Sequence, residues 1–121
     1  MIYRILIIED HAANCAQLSA ALQLEGYEIL TVSDGLLGVE VAQFVRPDLI
    51  LIDVILSGLN GLEAARRLKA HGDTRHIPII VITAQATPAD REQALDAGCD
   101  GYMARPIDIC ALPQQIRLFL Q

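Results

Sequence analysis

Five polar residues stand where apolar runs end. Ile5-Leu6-Ile7-Ile8 is followed by Glu9 and Asp10, and Asp48-Leu49-Ile50-Leu51-Ile52 by Asp53. Ile79-Ile80-Val81-Ile82 is followed by Thr83, and Gly101-Tyr102-Met103-Ala104 by Arg105-Pro106. If the runs are neighbouring parallel strands, three acids, a hydroxyl and a cation meet at one edge of a sheet. Carboxylates held close together repel, and each raises the proton affinity of the others. A hard divalent cation relieves that repulsion; Mg²⁺ takes one or two carboxylates and completes its shell with water and phosphate oxygens. The set therefore suits a divalent metal and a phosphoryl group, since phosphoryl transfer needs in-line positioning and charge neutralisation more than covalent help from the protein.

The elements that must hold these residues alternate along the chain. Residues 4–8, 28–32, 49–52, 79–82 and 100–104 read as strands, the third nearly all β-branched or Leu, as a strand buried on both faces requires. Residues 11–25 carry apolar side chains at helical spacing, Ala12, Cys15, Leu18, Ala21, Leu22 and Leu24, with Gly26 placed to end the helix. Ser33-Asp34-Gly35 reads as a turn or helix start, 36–45 as a second helix closed by Pro47, and 60–70 as a third. Thr87-Pro88-Ala89-Asp90 has a cap residue followed by proline at the first helical position, and that helix ends at Gly98. Asp108 is placed to cap a last helix running to Leu120, with Pro113 as a mild defect about five residues in. Connections of this length force parallel strands with right-handed crossovers. The expected product is one domain over residues 1–121, an α/β doubly wound (βα)5 sheet that binds ligands beyond the carboxyl ends of its strands.

Composition narrows the function classes. The 121 residues are 53% hydrophobic and 20% charged, as in a globular domain. No apolar stretch reaches the roughly 18 residues of a membrane span. Met1-Ile2-Tyr3-Arg4 runs straight into a strand, which leaves no room for a signal peptide. A net charge of −6 argues against direct nucleic-acid binding. The three cysteines, Cys15, Cys99 and Cys110, form no CxxC pair and are expected to be buried, reduced thiols in a cytoplasmic protein. His11, His71 and His76 show no metal-ligand spacing; His11 lies beside the acid pair, where it is expected to perturb the protonation of the site without a direct catalytic role. Arg66, Arg67 and Lys69 read as a solvated helix face, and Asp90, Arg91 and Glu92 as an exposed first turn.

The ordered set resembles the receiver domain of two-component response regulators along essentially the whole chain. The matching residues are Glu9-Asp10, Pro47 to Asp53, Asn60-Gly61, Thr83-Ala84, and Tyr102 with Arg105-Pro106. The resemblance implies the flavodoxin-like strand order 2-1-3-4-5. It implies that Asp53 is a phosphoacceptor attacking phosphohistidine. Mg²⁺ ligands would come from Asp10, Asp53, Glu9 through water, and the backbone carbonyl of Ile55. Thr83 and Tyr102 match the switch hydroxyl and aromatic, and Asn14 matches a common residue of the first helix. The implied partners are a sensor histidine kinase or phosphotransfer protein, a downstream protein, and a second copy through the face of helix four, strand five and helix five. Such a domain assists its own phosphorylation and dephosphorylation without being an enzyme.

The chain departs from that pattern in places. Arg105 replaces the usual lysine, exchanging a compact ammonium for a broad planar fork that can pair with Asp53 or Asp10. His11 stands where an acidic or polar residue is common, and Leu56-Ser57 where Met-Pro is common, so the following loop loses a rigid residue. Ile55 and Gln85 lie two residues beyond Asp53 and Thr83, at positions that influence acyl-phosphate lifetime in the family; Ile55 offers no polar group to orient a water. The main alternative is a phosphorylation-independent receiver that acts as an interaction module, its pocket locked by Arg105. A flavodoxin-like cofactor binder is disfavoured because Glu9-Asp10-His11 would repel phosphate. An aspartyl-phosphatase is disfavoured because Ile55 stands where its second acid belongs.

Overall fold

A computed structural model of the chain describes residues 2–56, 59–84 and 87–120. Five strands, β1 (Arg4–Ile8), β2 (Glu28–Val32), β3 (Leu49–Asp53), β4 (Ile79–Thr83) and β5 (Gly101–Ala104), alternate with five helices. The helices are α1 (Ala12–Gln23), α2 (Gly35–Val45), α3 (Gly61–Ala70), α4 (Pro88–Asp96) and α5 (Leu112–Arg117). The strands form one parallel sheet in the order β2-β1-β3-β4-β5. This is the flavodoxin-like order expected from the sequence. Between β1 and β3 the winding reverses direction, and ligands of doubly wound sheets bind beyond the strand ends at that point.

Period-two side-chain alternation divides the core into two layers. Leu6, Ile8, Ile50, Ile52, Ile79 and Val81 pack against Val39, Ala42, Ala64, Ala65, Leu68 and Ala94 of α2, α3 and α4. Ile5, Ile7, Leu49, Leu51, Ile80 and Ile82 pack on the other face against Leu18, Leu22, Leu112 and Ile116 of α1 and α5. The central strands β3 and β4, and β1 after Arg4, are buried along their lengths because both faces are covered, and their polar residues stand where the runs end; the edge strand β2 is less buried and carries the exposed Glu28 and Thr31.

Local chemistry sets the ends of the elements. Asp34 caps α2 by accepting from the Leu37 N–H, Asn60 caps α3 through Leu62, and Thr87 caps α4 through Asp90. Gly26 and Gly98 take left-handed φ values of 89° and 90° after α1 and α4, where a side chain would be strained. The last helix departs from expectation. Asp108 Oδ1 accepts from the Cys110 and Ala111 N–H groups in a turn, and α5 begins only at Leu112. Pro113 therefore sits in the first turn of α5, where its missing N–H costs no helical hydrogen bond.

Two other expectations are corrected. Among the cysteines only Cys99 is buried; Cys15 is half-buried and Cys110 exposed. Lys69 is not a solvated residue. Its ammonium donates to the Ile77 carbonyl at 2.7 Å and the Arg75 carbonyl at 3.2 Å, and pairs with Asp100 at 2.9 Å. Asp100 in turn accepts from the Ile79 N–H, so the cluster fixes the start of β4. Ser57 and Gln85, on which two expectations about loop stiffness and phosphoryl lifetime rested, lie outside the described residues.

Candidate functional site

Strand register assembles the site. Ile8 pairs with Ile52, so Glu9 and Asp53 follow side by side. Asp53 pairs with Ile82, placing Thr83 one step beyond, and Thr83 pairs with Ala104, placing Arg105 next. The Arg105 N–H donates to the Thr83 carbonyl at 2.9 Å, which extends the ladder past β5. The apolar runs thus align in the core and deliver their polar ends to one edge.

Close backbone approach completes the edge. A Cβ on Gly61 would stand 2.1 Å from the Asp53 carbonyl oxygen and 2.9 Å from Val54 Cα. Glycine lets the first turn of α3 seat directly under the end of β3, where the Gly61 N–H donates to the Val54 carbonyl. The Ile55 N–H then donates to Asp53 Oδ1 at 2.9 Å and fixes the rotation of that carboxylate.

Arg105 closes the cluster. Its Nη2 lies 2.5 Å from both Glu9 Oε2 and Asp53 Oδ2. The Glu9 side chain is fully buried, and its second oxygen accepts from the His11 N–H at 3.1 Å. Burial raises the Glu9 pKa above its ordinary value, with Asp53 adding to the rise; the His11 N–H and the guanidinium pull the other way. For Arg105, burial acts to lower the pKa, but Asp53 and Glu9 together outweigh it and hold the guanidinium charged. A lone cation bridging two shielded carboxylates is a strong, directional contact. The fork meets Asp53 as anticipated, but its second partner is Glu9 rather than Asp10.

A cavity of about 280 Å³ opens over this cluster, lined by Asp10, His11, Asn14, Asp53, Ile55, Ala84 and Arg105. Donor atoms of Glu9, Asp10 and His11 all lie within 4.8 Å of one another. The adjacency of His11 to the acid pair is plain in the sequence, but the spacing of the histidines gave no sign that its ring would stand at donor distance from both acids. Ala84 keeps one wall small. Of the residues singled out, Glu9, Asp10, Asp53, Thr83 and Arg105 converge. Tyr102 does not line the acidic cavity. It lines an adjacent cleft with Thr87, Pro88, Arg91, Glu92 and Leu95, and the Arg91 guanidinium stands over its ring at 5.7 Å. Arg91 is therefore more than an exposed turn residue, though nothing in its spacing signals the contact.

Residues 5–117 match the family model described as the response regulator receiver domain. The chain belongs to that family. It is a receiver domain of two-component signalling. It is 40% identical over 114 residues to the response regulator PleD of Caulobacter vibrioides, covering 94% of this chain and 25% of that protein. The chain thus spans about a quarter of that relative. It is 34% identical to the polar-differentiation response regulator DivK of Brucella anthropi, over 96% of this chain and 94% of that one. Among solved structures, the receiver domain of a Pseudomonas aeruginosa sensor histidine kinase, with a magnesium ion coordinated in its active site cleft, superposes with a TM-score of 0.91. That structure is 35% identical and covers 99% of this chain and 98% of its own. Among the described residues no helix is long and apolar enough to cross a membrane.

Proposed function

We propose that this receiver accepts a phosphoryl group on Asp53 from a histidine kinase or phosphotransfer protein and thereby changes its affinity for a downstream protein. The observation that carries the reading is the junction of Asp53 with Glu9, Asp10, Thr83 and Arg105 at the switch point of the sheet. The 121 residues act as one receiver unit in the cytoplasm, and a second copy is a candidate partner through the face of α4, β5 and α5. The domain assists its own chemistry and turns over no separate substrate.

The carboxylates of the cleft fit a hard divalent ion: Glu9 and Asp53 are buried side by side against Arg105, and Asp10 lines the same cavity as Asp53. Asp10 and Asp53 would hold Mg²⁺ directly, Glu9 through water, and Ile55 through its carbonyl. Bound there, the ion would neutralise charge on the phosphoryl oxygens. The chain's own groups do the rest. The Ile55 N–H holds the Asp53 carboxylate in one rotation for attack on phosphorus. An Asp53 oxygen forms the new P–O bond while the P–N bond to the donor histidine breaks. The freed imidazole leaves with the electron pair and takes a proton. Arg105, already against Asp53, then meets the phosphoryl oxygens, and Thr83 at the end of β4 offers its hydroxyl to one of them. Tyr102 answers by changing rotamer in its neighbouring cleft.

Intact mass after incubation with acetyl phosphate and Mg²⁺ tests this: one phosphoryl unit is expected on the protein and none on Asp53→Asn. The bridge from Arg105 to Glu9 and Asp53 favours a second reading, in which the internal cation locks the pocket and partners bind without phosphate. No mass gain in the native chain, with uptake in Arg105→Lys, would select that reading.

A further inference from the structure

We propose that His11 supplies a nitrogen ligand to the cation of this cleft, which strengthens its hold on borderline transition ions such as Co²⁺ and Zn²⁺ more than on Mg²⁺. The inference rests on reading the cleft as a metal site and concerns which metal it takes. Its first ground is position. A His11 nitrogen lies within 4.8 Å of carboxylate oxygens of both Glu9 and Asp10, and Nδ1 stands 3.7 Å from Asp10 Oδ1. Ligands on one ion, with bonds of roughly 2.1 Å, stand about 3–4 Å apart, so modest side-chain rotation closes the set.

The second ground is the commitment of the other donors. Both Glu9 oxygens accept hydrogen bonds, from the His11 N–H and from Arg105. Both Asp53 oxygens do the same, from the Ile55 N–H and from Arg105. Arg105 thus already supplies positive charge to two of the three carboxylates, which weakens the demand for a purely ionic counter-cation. Mg²⁺ binds through that demand. Transition ions gain in addition from an imidazole, which they prefer to carboxylate or water.

The third ground is that the ring is not otherwise employed in the fold. His11 is the N-cap residue of α1, yet its side chain makes no capping hydrogen bond. The side chain is 78% exposed and faces the cavity that Asp10, Asp53 and Arg105 also line. It belongs to neither core layer, so replacing it leaves the core intact.

Calorimetric titration of the full chain with Co²⁺ and with Mg²⁺ tests the proposal. Co²⁺ should bind at least about tenfold more tightly, the effect expected of one well-placed ligand-shell group. His11→Ala should cut Co²⁺ affinity about tenfold and Mg²⁺ affinity by much less, while Asp10→Asn should weaken both ions. In the native protein, Co²⁺ should also shift the His11 ring protons far outside the diamagnetic NMR range. An unshifted ring, or equal affinities in the native chain and His11→Ala, would overturn the assignment while leaving a Mg²⁺ site standing. If neither ion binds, the metal reading fails and this inference falls with it.

Discussion

Arg105 sets the chemistry of the cleft more than any other single side chain. Its guanidinium lies 2.5 Å from two carboxylates that a phosphoryl group and a metal would also claim. For Asp53 to act as the proposed phosphoryl acceptor, that contact would have to open or rearrange. A charge-assisted hydrogen bond contributes about 1.5–3 kcal/mol, and each 1.4 kcal/mol of barrier is about tenfold in rate. Arg105→Lys keeps the charge and removes the fork, so phosphorylation of Asp53 by acetyl phosphate should accelerate roughly tenfold, read as the initial rate of mass gain. An unchanged rate would show that the fork swings aside freely. The charge and its replacement were legible in the sequence. The choice of Glu9 as second partner was not, because it follows from strand register rather than residue type. The nearness of His11 to the acids was open to reading from adjacency alone, but only the turn into α1 brings its ring to donor distance.

Elements matter here through their ends. The strands were legible because apolar runs of this length, covered on both faces, have one use in a small domain. The start of α4 at Thr87 followed from capping chemistry, whereas Asp34 read only as part of a turn or helix start and Asn60 as a residue of α3, and the structure makes both of them caps. The start of α5 did not follow from it, because a turn closed by Asp108 satisfies the same N–H groups as a helical cap. Two element junctions yield predictions. Gly61→Ala places a methyl 2.1 Å from a backbone oxygen that cannot move without shifting Asp53. It should cost about 1–3 kcal/mol in urea unfolding and slow phosphoryl uptake as well. Lys69→Ala strips three acceptors of a shared cation on the far side of β4. It should cost about 2–3 kcal/mol while leaving the initial rate of phosphorylation near that of the native chain. A matching loss of both would mean that the start of β4 and the site are more tightly coupled than the contacts indicate.

At the scale of the molecule, two packed layers around one sheet leave the three cysteines in three environments. Burial, reinforced by the charge of Asp100 and opposed by Lys69 and Arg66, raises the Cys99 pKa to about 11 from an ordinary 9.0. Folding therefore favours the protonated thiol. The contribution to stability is complete below pH 9.0 and is lost as pH rises through about 11. At pH 8 iodoacetamide should label Cys110 first and Cys15 more slowly, and Cys99 only on unfolding, as peptide mapping would show. Rapid native labelling of Cys99 would contradict the packing of α4 against the sheet. The acidic edge sits at the other end of this layered body, and everything proposed for it depends on Asp53. Borohydride trapping provides the most direct test. After exposure to acetyl phosphate and Mg²⁺, reduction should convert residue 53 to homoserine in the native chain and leave Asp53→Asn unchanged. Homoserine at another acidic position, or at none, would contradict Asp53 as the phosphoryl acceptor.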